Sequence, residues 1–188
     1  MGRWAPGATG RLVESALELY AERGFDQTTV AEIAARAGLT ERTFFRHFAD
    51  KREVLFAGSD VLFERVAAAV TDAPAEATPF DAVAAGLDAA ANVIGDRREF
   101  SSRRHAVIAA NPALQERELG KLAALADAMA DALGARDVPT PTAALASETG
   151  MAVFKVAFER WAVGGAAGTL PDVVRDAMDE LRAAAAAG

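Results

Sequence analysis

The residues with the clearest chemical potential in this sequence are two arginines spaced four apart, Arg42 and Arg46. In a helix this spacing places both guanidinium groups on one face. A guanidinium can donate two hydrogen bonds to a guanine edge or hold a phosphate, so the pair is suited to contact nucleic acid. The surrounding residues 36–52 carry five basic and two acidic side chains, a local charge of +3.

The whole chain of 188 residues has a formal net charge of -7, which at first argues against such a partner. Residues 1–56 are neutral, with eight basic and eight acidic side chains, and the other twelve basic and nineteen acidic ones carry the entire -7. Phosphate contacts depend on nearby charge, because salt screens exposed charges beyond about 8–10 Å. We therefore base the expectation of nucleic-acid binding on the local charge of +3 and not on the net charge of the chain.

Two short capped helices joined by a tight turn are predicted to position the arginines. Thr29 and Glu32 form a capping box for the first helix, and Thr40 caps the second. Gly38 supplies the turn between them. Small Ala34 allows close helix approach, and Ile33, Ala37, Leu39, Phe44 and Phe48 occupy inward positions. The pattern predicts a helix-turn-helix; the alternative is a helical hairpin with a solvated basic face. For Arg36 and Lys51 taken singly, the alternative is that each is an ordinary surface residue.

The rest of the chain reads as helical throughout, since apolar residues recur at spacings of 3, 4 and 7 and 52% of residues are apolar. We predict an all-α protein of about nine helices, with an N-terminal domain over residues 1–50 and a second domain over 51–188. Helices are expected at about 8–23 and 51–71, with a break near Gly95-Asp96. Capped starts are predicted at Thr78-Pro79, Asn111-Pro112, Thr140-Pro141 and Thr169-Leu170-Pro171-Asp172.

Several function classes are excluded by composition. The absence of cysteine removes disulfides and thiolate chemistry, and the two histidines, His47 and His105, do not form a metal site. No phosphate loop, nucleophile elbow or pair of catalytic carboxylates is recognisable, so we expect neither an enzyme nor a cofactor. No apolar run reaches the ~20 residues that span a bilayer, and no secretion signal is apparent. We therefore expect a cytoplasmic protein.

The stretch from Leu12 to Leu55 resembles the tetracycline-repressor (TetR) family. The matching residues are Ala16-Leu17-Glu18-Leu19-Tyr20, Gly24-Phe25, Thr29-Val30, Ile33-Ala34, Ala37-Gly38-Leu39-Thr40, Thr43-Phe44-Phe45-Arg46-His47-Phe48 and Lys51. The resemblance implies a homodimer that binds palindromic double-stranded DNA. It also implies that DNA is faced by Thr29, Thr40, Arg42, Thr43, Phe45, Arg46, His47 and Lys51.

Two positions depart from the family pattern. Phe45 stands where tyrosine is frequent, and can offer only apolar contact, for example to a thymine methyl. Arg46 stands where an aromatic residue or histidine is common, and can replace a phosphate hydrogen bond with a charged one. Before Leu12, Arg3 and Arg11 can reach a groove or the DNA backbone, although disorder is the alternative for Arg3.

The family dimerises through its last two long helices, and two apolar stripes are expected to do so here. They consist of Met151, Phe154, Phe158, Trp161, Val174, Met178 and Leu181. Two stripes per subunit can form a four-helix interface across a twofold axis. The alternative is that they are intramolecular core.

The central helices are expected to enclose a pocket for an unidentified small-molecule effector. Arg104 shares a helix face with Phe100 and Ile108, and can pair with an acidic head group; the alternative is a snorkelling arginine or one paired with a nearby carboxylate. Asn92 and His105 are the other polar candidates. We thus expect a repressor released from its operator by a ligand; a regulator without an effector, or an activator, are the alternatives.

Overall fold

In the computed structural model, residues 7–95 and 97–187 are described, and these residues form helices and connecting loops without any strand. Nine α-helices and one 3-10 turn account for the secondary structure of this part. The helices are α1 (Ala8–Arg23), α2 (Val30–Arg36), α3 (Glu41–His47), α4 (Ser59–Thr71), α5 (Pro79–Ile94), α6 (Arg98–Ala109), α7 (Pro112–Gly134), α8 (Thr140–Ala162) and α9 (Leu170–Ala186). The 3-10 turn is Glu53–Phe56. The all-α fold is confirmed.

The helix starts follow from local capping chemistry. Thr29 accepts a hydrogen bond from the Glu32 amide while the Glu32 carboxylate accepts one from the Thr29 amide, which completes the predicted capping box. Thr78 caps α5, and Thr169 with Asp172 forms a second capping box at α9. These side chains satisfy amides that the first helical turn leaves without partners.

Two predicted helix boundaries are wrong. The helix expected over 51–71 is interrupted, because Gly58 has a φ of 84° and separates the 3-10 turn from α4. The predicted Thr140 cap is absent, since the Pro139 carbonyl accepts the first helical hydrogen bond from the Ala143 amide at 2.9 Å. Thr140 is therefore already inside α8. The break near Gly95 is present, whereas Asp96 lies outside the described residues.

The chain separates into two compact units. The N-terminal unit comprises the chain up to Gly58 together with Glu99–Leu119, and the C-terminal unit comprises Ser59–Arg98 and Gly120–Gly188. They do not coincide with the predicted domains 1–50 and 51–188, because residues 51–58 and 99–119 pack with the N-terminal helices. The division into functional domains stays a prediction.

Each unit has its own apolar core. In the N-terminal unit, buried residues of α1, α2, α3 and the 3-10 turn share a core with Val107, Ile108 and Leu114. In the C-terminal unit, buried residues of α4, α5, α7, α8 and α9 form the second core. Within the described residues, no helix is both long enough and apolar enough to cross a lipid bilayer.

Candidate nucleic-acid interface

The turn between α2 and α3 depends on the backbone conformation of Gly38. Its φ is 67°, a left-handed value that glycine adopts without steric cost. The Leu39 amide donates to the Ala34 carbonyl at 2.8 Å, which closes the end of α2. A Cβ atom on Gly38 would meet nothing within 4 Å, so the backbone conformation, not a lack of space, requires glycine here.

The inner face of α3 is held by aromatic packing. Phe44 is completely buried and Phe48 is nearly so, with ring centroids 5.4 Å apart. Both belong to the core that includes Ile33 and Ala34 of α2. Because successive side chains of a helix point in different directions, burying Phe44 and Phe48 exposes the opposite face of α3.

That opposite face carries the predicted nucleic-acid contacts. Arg42 and Arg46 are both exposed, and the exposed fraction of Phe45 is 53%. Within residues 7–95 and 97–187, Arg42 has no hydrogen bond or ion pair, so its guanidinium is available to an external acceptor. Arg46 approaches only His47, with Nη2 3.5 Å from Nε2 of the histidine.

The polar residues around the arginines are partly engaged. The Thr40 hydroxyl oxygen caps α3 by accepting from the Thr43 amide at 3.2 Å, and the two threonine hydroxyls lie 3.1 Å apart. His47 Nδ1 lies 3.2 Å from the Thr9 hydroxyl of α1. Thr29 donates its hydroxyl proton to Glu32 at 2.9 Å, so its side chain is committed to the cap. We name Thr40, Arg42, Thr43, Phe45, Arg46 and His47 the reading surface; all are exposed except Thr43, which is half-buried.

Lys51 has a different position from the one expected. Its Nζ donates to the carbonyl oxygens of Phe25 at 2.9 Å and Thr28 at 3.0 Å, with Asp26 at 3.4 Å, and lies 4.3 Å from the centre of the Phe25 ring. An ammonium has three protons, and these carbonyls accept all of them. Lys51 therefore ties the loop after α1 to the segment after α3, and we correct its assignment as a DNA contact.

Further bonds brace the reading surface from behind, and sequence reasoning missed them. The Tyr20 hydroxyl donates to the Lys51 carbonyl at 2.6 Å, and burial raises the pKa of Tyr20 far above its usual value. Asp50 accepts from the Arg52 amide and guanidinium, and the side-chain hydrogen bond from Arg52 lowers the pKa of that carboxyl. Tyr20 was recognised only as a family residue. Its partner lies 31 positions away, beyond the reach of local patterns.

Two other arginines of this region, Arg11 and Arg36, form hydrogen bonds within the chain. Arg11 donates to the Ala37 carbonyl at 3.2 Å, and Arg36 forms a two-bond pair with Glu22 at 2.6 and 2.9 Å. The surface alternative for Arg36 is thus the correct one. Arg3 lies outside the described residues.

Four of the five residues predicted to bind a ligand lie on α6, and the ligand site stays a prediction. Arg104 Nε donates to the Leu55 carbonyl at 2.7 Å and Nη1 to Glu118 at 3.1 Å, which is the paired alternative and corrects the assignment to a ligand head group. Ile108 is buried in the core of the N-terminal unit, and Phe100 packs against that core. His105 is half-buried on the same helix. Asn92 belongs to the C-terminal unit, is exposed, and donates to Asp88.

The stripes predicted to form the dimer interface lie inside one chain. Met151, Phe154, Trp161, Val174 and Met178 are buried, and Phe158 and Leu181 pack against the same core of the C-terminal unit. These side chains contact each other within one chain, which favours the intramolecular alternative, and their role in a dimer stays a prediction. The outward face of α8 instead exposes Leu145, Ala152 and Val156, with Leu145 at 70%, and exposed Val163 follows directly after the helix. Their spacings of 7, 4 and 7 were a signal in the sequence that we overlooked.

Comparison with known proteins agrees with the helix-turn-helix. Residues 12–57 match the family profile described as bacterial regulatory proteins of the tetR family, and residues 77–186 match the profile of the MftR C-terminal domain. The chain is 36% identical over 86 residues to the transcriptional regulator TcmR of Streptomyces glaucescens, covering 46% of this chain and 38% of that protein. It is 44% identical over 46 residues to the transcriptional repressor KstR2 of Mycobacterium tuberculosis, covering 24% of this chain and 23% of that protein. The chain thus spans well under half the length of these relatives.

Solved structures share the fold over nearly the whole chain. A regulator from Syntrophomonas wolfei described as a putative TetR-family protein gives a TM-score of 0.64 at 15% identity, covering 95% of both chains. A SmeT–triclosan complex gives 0.63 at 22% identity, covering 94% of this chain and 90% of SmeT, and SmeT is described as the repressor of a Stenotrophomonas maltophilia efflux pump. The two profiles together account for most of this chain, from Leu12 in α1 to the end of α9, with residues 58–76 between them. The chain belongs to the TetR family of helix-turn-helix, DNA-binding transcriptional regulators.

Proposed function

We propose that the protein is a homodimeric repressor that binds a palindromic operator through the reading surface and leaves it when a small molecule binds. The observation that carries the proposal is the exposed guanidinium of Arg42, which has no partner in the described part of the chain and lies four residues from Arg46 on α3. Two such groups on one face can read a guanine and hold a neighbouring phosphate. We place the protein in the cytoplasm, together with the DNA that it would bind.

The members of the reading surface take different roles in this proposal. Arg42, which has no partner among residues 7–95 and 97–187, is the residue we assign to a base edge. Arg46, which approaches His47, is assigned to a phosphate, and the hydroxyls of Thr40 and Thr43 to phosphate or sugar. Phe45 can contact a thymine methyl because its exposed ring has no polar group.

Selection of duplexes from a random pool tests this assignment. The recovered sequence should be a palindrome, and Arg42→Ala should lose preference at one or two base pairs of each half-site, by about 1–3 kcal/mol. Arg65→Ala is the matched control, because Arg65 is an exposed arginine on α4, in the C-terminal unit. Equal weakening of Arg42→Ala on every sequence would instead assign Arg42 to phosphate.

The dimer is proposed to form through the outward face of α8. Leu145, Ala152, Val156 and Val163 form an apolar seam that nothing in the described part of the chain covers. Spacings of 7, 4 and 7 keep one side of a helix pair in continuous contact. A second copy of the chain fits this seam, since a twofold axis places the same seam opposite itself.

Charges beside the seam support an antiparallel self-pairing. Glu148 and Lys155 are both exposed, and neither has a partner among residues 7–95 and 97–187. If two α8 helices cross antiparallel beside Ala152, Lys155 of one subunit faces Glu148 of its partner, and the pair occurs twice. Opposite charges at such rim positions favour one register over others.

The repressor assignment and the effector are supported by relatives. KstR2 is described as a repressor, and SmeT as an efflux-pump repressor with a triclosan complex. An effector releases the operator when it favours a conformation in which the two reading surfaces no longer match the ~34–36 Å repeat of DNA. Small-molecule screening by thermal shift tests this, because a specific ligand raises the melting temperature by mass action.

A regulator without an effector is the second candidate, and tight packing in the C-terminal unit favours it. A Cβ atom at Gly150 of α8 would overlap Val83 of α5, and one at Gly86 would lie 2.7 Å from Val70 of α4. Helices that approach this closely leave no space at these contacts. A diverse screen without any stabilising compound, combined with normal operator binding, would select this candidate.

A further inference from the structure

Two arginines of α6 and α7 hold the 3-10 turn that follows α3. Arg104 of α6 donates from Nε to the Leu55 carbonyl at 2.7 Å, and Arg117 of α7 donates from Nε to the Glu53 carboxylate. Arg104 also donates to Glu118 at 3.1 Å, and its guanidinium lies 4.9 Å from the centre of the Phe56 ring. We name Arg104, Arg117 and Glu118 the clasp.

The 3-10 turn shares its core with the recognition helix. Val54, Leu55 and Phe56 are buried in the cluster that contains Phe44 of α3 and Ile108 of α6. Two residues before the turn, Lys51 is bound through its ammonium and through its carbonyl. The short segment between the end of α3 and the 3-10 turn is therefore held by hydrogen bonds. For this reason the position of the turn constrains the position of α3.

The chemistry of Arg104 suggests more than packing. Its side chain is only 21% exposed, and burial lowers its pKa, with the Glu118 carboxylate opposing that effect. Burying a guanidinium carries a desolvation penalty that an apolar side chain of similar size would avoid. The guanidinium adds directional hydrogen bonds, which hold the Leu55 carbonyl and the Glu118 carboxylate in defined positions.

We propose that Arg104 and Arg117 are positioning residues, which orient the reading surface for DNA without touching it. Both arginines lie in the segment Glu99–Leu119, whose two ends continue into the C-terminal unit at Arg98 and Gly120. A change in that unit can reach α3 along the chain through the clasp and the 3-10 turn. This inference rests on the proposed function for its link to an effector, and on family membership for DNA binding.

Amide hydrogen exchange of the free protein tests the clasp itself. Arg104→Met should speed exchange in the 3-10 turn and α3 by about tenfold or more, since it removes charged hydrogen bonds. Arg117→Met should speed it about two- to fivefold, because this pair is more exposed. Exchange in α8 should not change, and Arg65→Met should match the wild type. The exchanged pair Glu53→Arg with Arg117→Glu should restore protection.

Binding to the duplex selected by the wild-type protein tests positioning. Affinity should fall by the same factors in each variant, while the dependence of affinity on salt concentration keeps its slope, because no phosphate contact is lost. A slope reduced by about one per subunit would make the arginine a phosphate ligand and overturn the proposal. Faster exchange with unchanged affinity would also overturn it, as would unchanged exchange in Arg117→Met.

Failure of DNA binding and failure of the clasp to hold α3 give different results. If the wild-type protein selects no duplex, the DNA-binding function fails, while the exchange experiment still decides whether the clasp holds α3. If Arg104→Met does not fold, Arg117→Met carries the test, because its side chain lies nearer to solvent.

Discussion

Val156 and Phe158 lie two residues apart on α8 and face different surroundings. Val156 is 46% exposed on the outward seam, whereas Phe158 packs against the core of the C-terminal unit, its ring 6.0 Å from that of Trp161. A glutamate at each position therefore separates the two possible dimer surfaces. Val156→Glu changes only the outward face, and Phe158→Glu changes only the inward one.

The expected change in the free energies of unfolding and of dimerisation depends on where each new carboxylate would lie. In the monomer Val156→Glu should alter the free energy of unfolding by no more than about 0.5 kcal/mol, since the site is open to water. In the dimer it removes about 1 kcal/mol of apolar burial and desolvates a carboxylate at a cost of several kcal/mol. The twofold axis doubles both effects. A total above about 5 kcal/mol raises the dimer dissociation constant more than a thousandfold.

Sedimentation at micromolar concentration measures the dimer, and chemical denaturation measures the fold. Val156→Glu should sediment as a folded monomer with weakened operator binding, whereas Phe158→Glu should lose about 3 kcal/mol of unfolding free energy. A Val156→Glu protein that dimerises like the wild type would refute the α8 seam. Dissociation of Phe158→Glu at unchanged unfolding free energy would restore the interface first expected from the sequence.

Three more outcomes test the support of the reading surface. Gly38→Ala should cost about 1–2 kcal/mol in denaturation, because φ is 67°, and Gly38→Asn should cost less; equal stabilities would refute the conformational argument. Lys51→Met should cost about 1–3 kcal/mol yet keep the salt slope of DNA binding; a slope reduced by about one would return Lys51 to the DNA contacts. Arg52 lowers the pKa of Asp50, so this carboxyl stabilises the fold above its unfolded pKa of about 4 and stops doing so as pH falls through the lower folded value. Asp50→Asn should therefore flatten the stability profile below about pH 4, and an unchanged acid profile would contradict the Asp50–Arg52 bond.

Local rules predicted the helix-turn-helix well. Thr29, Thr40 and Gly38 act within three or four residues of their partners, and short-range geometry is what capping and turn patterns encode. The same rules failed at Gly58 and Pro139. At both positions the apolar residues keep their helical spacing. The backbone conformation of Gly58 nevertheless interrupts the helix, and Pro139 marks the start of α8; periodicity alone shows neither.

The sequence by itself determined the helices, the family and the outward arginines of α3, because each depends on spacing within one or two helical turns. It did not determine which side of α8 is the core: Met151 to Trp161 and Leu145 to Val163 are both apolar stripes with helical spacing. Only packing against α5 and α9 selects one of them. The partners of Lys51 and Arg104 were likewise decided by the tertiary structure, since their acceptors lie 23 and 49 residues away. A charged side chain binds whichever carbonyl or carboxylate the fold brings within reach.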